Sequence, residues 1–175
     1  MAGGAAGSDK TGMTASALVL SPDTAFGRAA AEALALIGAP PLLVLPPYDG
    51  DGLAESRAYV EEVLAAAAAH VPGCGLIIHP LSLSALPPFG DEADYAHRAA
   101  LAAAQLNRAW YAPLGVRVAQ LFIDKLDIVT NRADRTAPLD LDNLEIGLRH
   151  VLAGADEAFC DPAALAVWEA VNGDW

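Results

Sequence analysis

Lysine is nearly absent from this chain: Lys10 and Lys125 are the only two in 175 residues, and the formal net charge is −12. Without a basic patch there is neither attraction to phosphates nor counterion release on binding them, which excludes nucleic acid and acidic membrane surfaces as partners. Cysteine is scarce too. Cys74 and Cys160 have no metal-ligand spacing and no secretory signal around them, so reduced thiols and a cytoplasmic location are expected. No run of about 20 apolar residues is free of breakers, which argues against a membrane span. Ser82 and Ser84 lack a Gly-x-Ser-x-Gly elbow, so nucleophilic hydrolysis has little support. No internal repeat is present beyond a general richness in alanine.

What remains is the pattern of one α/β domain, too short for a cofactor domain plus a substrate domain. Residues 1–13, which include MAGGAAGSDKTG, are expected to be a disordered leader, and 14–175 a single domain. Ala15 to Leu20 reads as a short strand that enters Ser21-Pro22-Asp23-Thr24 and then an alanine-rich helix. Ser21 is a natural N-cap and Pro22 a natural first helical residue, so this helix is expected to cap itself; a variant anion site is the alternative. Leu42 to Leu45 forms a second strand, ending in PPYDGDG. Asp49 or Asp51 there has the spacing of a ribose-holding carboxylate, although DGDG is equally good turn chemistry.

Leu53 to His70 reads as a helix with Tyr59, Val60, Val63 and Leu64 on its apolar side, and Cys74 to Ile78 as the next buried strand. His79, at the end of that strand, is either a ligand or base or a satisfied turn residue. Asp94 to Trp110 is an alanine-rich helix, followed by YAPLG and the strand segment VRVAQLFI. From Asp124 to Asp140 the chain is polar and expected to be a loop. Leu141 to Leu152 reads as a helix, Phe159-Cys160 as a short strand, and Pro162 to Val171 as a last helix N-capped by Asp161.

The run RAALAAAQLNRAWYAPLGVRV closely resembles the segment of short-chain dehydrogenases/reductases that carries their Tyr-x-x-x-Lys pair. The resemblance covers roughly Thr14 to Ile123, and is strongest from Ala99 to Val118. It implies a shortened Rossmann-like three-layer fold with a small parallel sheet. Its chemical groups differ from the family's. Asp94 stands at the tyrosine position and Arg98 at the lysine position, and a register shift that recovers Tyr95 puts Ala99 where the lysine belongs. In the glycine-rich turn Thr-Gly-x-x-x-Gly-x-Gly, Ser21 and Ala25 replace the first two cofactor glycines and Gly27 remains. The family's Asn-Asn-Ala-Gly strand end is matched to His79-Pro80-Leu81-Ser82. On that matching, the segment that supplies the active-site serine is missing, and so is a helix-strand unit between the second and third strands.

Two functions follow from this pattern. The first is a non-catalytic, dehydrogenase-like subunit with no cofactor, which assembles with itself or with a full-length short-chain dehydrogenase. The family associates through the Tyr-x-x-x-Lys helix, and Leu106 with Trp110 would anchor such a contact here. The alternative for that face is packing inside the monomer. The second function is a cofactor-independent isomerase, lyase or cyclase in which Tyr95, His97, Arg98 and His79 move protons or hold a carboxylate.

Overall fold

The computed structural model describes residues 17–50, 52–91, 94–134 and 139–173. The expected leader, Asp51 and Trp175 lie outside them. Five parallel strands, β1 (Leu18–Val19), β2 (Leu43–Val44), β3 (Leu76–Ser82), β4 (Arg117–Ile123) and β5 (Glu157–Phe159), form one sheet in the order β1-β2-β3-β4-β5. Among the described residues six α-helices accompany it: α1 (Ala25–Ile37), α2 (Leu53–His70), α3 (Tyr95–Tyr111), α4 (Lys125–Ala133), α5 (Leu141–Leu152) and α6 (Pro162–Asn172).

Strand residues alternate between two cores. Leu43, Ile77, Leu81, Val118 and Phe122 face α2 and α3, while Val44, Ile78, Ala119 and Leu121 face α1 and α5. Both faces are covered, which is why β3 is buried at every position. The result is the three-layer α/β fold that the sequence predicts.

All four connections advance the same way across a parallel sheet, yet α1 and α5 lie on one face and α2 and α3 on the other, so the two pairs of connections have opposite hands. Among the described residues no strand lies beyond β1, which is an edge of the sheet. Between β3, which ends at Ser82, and α3 the described chain has only a short 3-10 turn, Leu83–Ala85.

Three expectations change. The helix cap moves from Ser21 to Thr24, whose Oγ1 accepts the Gly27 N–H at 3.0 Å, while Ser21 takes a left-handed φ of 54° in the turn before it. The polar segment after Asp124 contains α4. His79 is no strand end: β3 continues through His79 and Pro80 to Ser82. Pro80 is tolerated there because its ring nitrogen faces the side of β2, and β2 has stopped pairing by that register.

Candidate functional site

At the carboxyl ends of β1 and β2 lies a cleft of about 470 Å³. Its walls include Ser21 and Thr24 from the turn after β1, Tyr48 and Asp49 from the loop after β2, Glu55, Tyr59 and Glu62 from α2, and Asn131 and Arg132 from α4. This is where open α/β sheets bind ligands. Its charge is unlike that of a phosphate site, since three carboxylates line it against one guanidinium.

The donors at the start of α1 are committed internally. Gly27 N–H goes to the Thr24 hydroxyl, and Phe26 N–H goes to Asn131 Oδ1 at 3.0 Å across 105 residues of sequence. Asn131 is buried, and its Nδ2 donates to Asp49 Oδ2 at 2.7 Å. Asp49, one of the two ribose candidates, therefore holds a side chain of α4. Gly27 has a packing role: a Cβ there would overlap the Ser21 carbonyl oxygen. The remaining glycine position keeps helix and turn in close contact, with both nearby amides satisfied by side chains.

The loop after β2 is fixed by its tyrosines. Tyr48 donates to Gly52 O and Tyr59 to Pro46 O, each at 3.0 Å, and the Tyr48 ring meets Tyr59 and His97 edge to face. Burial is the largest influence on the Tyr59 phenol and pushes its pKa well up, with the Glu62 and Asp49 carboxylates adding to the effect. It stays neutral.

At the start of α3, Asp94 and Arg98 both hold the preceding turn. Asp94 is buried and its Oδ2 accepts the Asp91 N–H at 3.0 Å; the Arg98 guanidinium donates to the Asp91 carbonyl oxygen. Tyr95 is 47% exposed. His79 is fully buried, with Nε2 against Asn107 Nδ2 at 2.9 Å. Burial and then the Arg108 charge hold its pKa down to about 3, so the imidazole is neutral. Asn107 lies 12 residues beyond Tyr95 on the same helix, which places His79 and Tyr95 about 18 Å apart along its axis. The structure groups Asp94 with Arg98 and leaves His79 apart from both. Ser82 and Ser84, at the end of β3, are buried with their hydroxyls 2.9 Å from each other.

Tyr48, Glu55, Glu62, Asn131 and Arg132 are cleft residues that sequence reasoning passed over. Tyr48 follows a Pro-Pro pair beside the second strand, a position that a search for strand-end groups would reach. Asn131 carried no signal, because its contact to Phe26 is made by a helix that reads as a polar loop. Among the described residues no group of three or more His, Cys, Asp or Glu is placed to hold a metal ion. None of their helices is long and apolar enough to cross a membrane.

No protein-family model matches the sequence, and no curated protein matches it. Among solved structures, the fold is similar to that of a short-chain dehydrogenase from Burkholderia cenocepacia in complex with NADP. The TM-score is 0.62 at 20% identity, over 92% of this chain and 94% of that one. The fold is short-chain-dehydrogenase-like. At this identity the likeness is one of architecture.

The dinucleotide that the fold family implies does not fit the cleft residues. A diphosphate at the start of α1 would have to displace the Asn131 amide from Phe26 N–H and sit close to the Asp49 carboxylate.

Proposed function

We propose that this chain is a non-catalytic, dehydrogenase-like subunit that assembles with copies of itself or with a full-length short-chain dehydrogenase. One observation carries the proposal: the division of labour on α3. Its inner face, Ala96, Ala100, Ala103, Ala104 and Asn107, is buried against the sheet and α2. Its first turn is tied down by Asp94 and Arg98. From Ala102 on, its outer face carries no charge and is uncovered by the described residues, with Leu106 42% and Trp110 52% exposed.

The proton-transfer role of the family's helix needs a phenol beside an ammonium, and neither Asp94 nor Arg98 supplies one. Asp94 instead accepts the Asp91 N–H and Arg98 donates to the Asp91 carbonyl oxygen. What α3 retains is its apolar surface. The small exposed Ala102 and Ala109 beside Leu106 and Trp110 suit a helix-to-helix contact, in which aromatic anchors concentrate binding energy.

Titration calorimetry with NAD and NADP tests the cofactor half of this proposal. No saturable binding is expected up to about 1 mM, a Kd equivalent of roughly −4 kcal/mol. Low-micromolar affinity for either dinucleotide would contradict it. Assembly is tested separately, by molecular mass in solution.

A further inference from the structure

Asn131 makes two hydrogen bonds that join three parts of the chain distant in sequence. Its Oδ1 accepts from Phe26 N–H at 3.0 Å and its Nδ2 donates to Asp49 Oδ2 at 2.7 Å, with the side chain 1% exposed. Phe26 belongs to the first turn of α1, Asp49 to the loop after β2, and Asn131 to the last turn of α4. Each lines or adjoins the mouth of the cleft.

We infer that Asn131 is a latch: its amide fastens α4 across the crevice between β1 and β2 and occupies, from within the chain, the place at the α1 N-terminus that an external anion would need. The first-turn amides of a helix carry a partial positive charge and seek an acceptor. Asn131 Oδ1 supplies one to Phe26, and Thr24 supplies the other to Gly27. The orientation of the amide is fixed by its neighbours, because a carboxylate only accepts and a backbone N–H only donates. The Asp49 charge strengthens the Nδ2 bond, as ionised partners do. Beside this bond, α4 places Ile128 in the buried core and packs mainly against α1 on the described chain.

The inference rests on the proposed function only in taking the crevice as closed to dinucleotides. Its test needs neither cofactor nor partner. Amide hydrogen exchange is followed by NMR in the wild-type chain, in Asn131→Ala, and in the reciprocal pair Asp49→Asn with Asn131→Asp. The reciprocal pair keeps both hydrogen bonds with donor and acceptor exchanged between positions 49 and 131.

In Asn131→Ala, exchange of the Phe26 amide and of the α4 amides is expected to rise about 100-fold, with β3 and α5 unchanged. The reciprocal pair is expected to return both to within about threefold of wild type. Inorganic pyrophosphate added to the wild-type chain is expected to leave the Phe26 and Gly27 resonances in place.

Three results would overturn the latch: unchanged exchange at Phe26 in Asn131→Ala, acceleration spread evenly over the whole chain, or pyrophosphate displacing the amide in the wild type. If Asn131→Ala does not fold, the reciprocal pair decides alone. Wild-type protection at Phe26 and α4 supports the latch, and its loss in a folded protein overturns it.

Discussion

Ser21 and Gly27 show how a single position keeps one half of a motif's physics. Ser21 occupies the left-handed region where glycine is at ease, at a cost of about 1–2 kcal/mol for an L-residue. Gly27 has no room for a methyl group against the Ser21 carbonyl. Ser21→Gly should therefore stabilise the chain by up to about 1 kcal/mol, since glycine's extra unfolded-state entropy offsets part of the relief. Gly27→Ala should destabilise it by about 2–3 kcal/mol, as the helix must lift from the turn. Urea unfolding of both variants measures the contrast, and equal effects of the two would refute this account of the turn.

His79 supplies a second test at the same scale. Its folded pKa, about 3, lies below the ordinary value of 6.5, so the unfolded chain binds its proton first as pH falls. Stability is then fully present above about pH 6.5 and is lost progressively below it. Between pH 7 and 5 this one group should remove about 2 kcal/mol. In His79→Gln, that part of the pH dependence should vanish; identical slopes in variant and wild type would show that the imidazole is not buried in its neutral form.

Among the elements, the helices were the most legible. α2 and α5 begin and end where periodicity and flanking residues place them, and Asp161 caps α6 as expected, accepting the Ala163 N–H at 2.8 Å. α4 was hidden because Ile128, Val129 and Thr130 are β-branched and the segment around them is polar, so its pattern does not rise above that of a loop. β3 was cut short at Ile78 because proline argues against a central strand, and only the early end of β2 makes Pro80 acceptable. The sequence also singles out Asp94 and Arg98, but not where their side chains go. Their bonds to the Asp91 backbone depend on a turn that no local pattern predicts.

The element-scale prediction concerns the outer face of α3. Leu106→Glu with Trp110→Glu leaves the inner alanine face untouched, and both residues are already half exposed, so the monomer fold should be nearly unaffected. In a symmetric contact the new charges would face their own copies. Sedimentation should show the assembly split into folded monomers, with the far-ultraviolet circular dichroism retained. An unchanged mass would place the interface elsewhere.

At the scale of the whole molecule, a sheet that ends at β1 among the described residues and a helix face that they leave uncovered give a small domain surface to bury. The net charge of −12 restricts what can cover it, because a second acidic copy must meet at an apolar patch and keep its carboxylates at the rim. The outer face of α3 meets that requirement: Ala102, Gln105, Leu106, Ala109 and Trp110 are exposed there without a carboxylate among them.

The central claim is that this chain is an assembling subunit, and light scattering of the purified wild-type protein at micromolar concentration tests it most directly. The account predicts a stable mass of two or more copies of the 18.0 kDa chain. A soluble, folded monomer across that concentration range would contradict it.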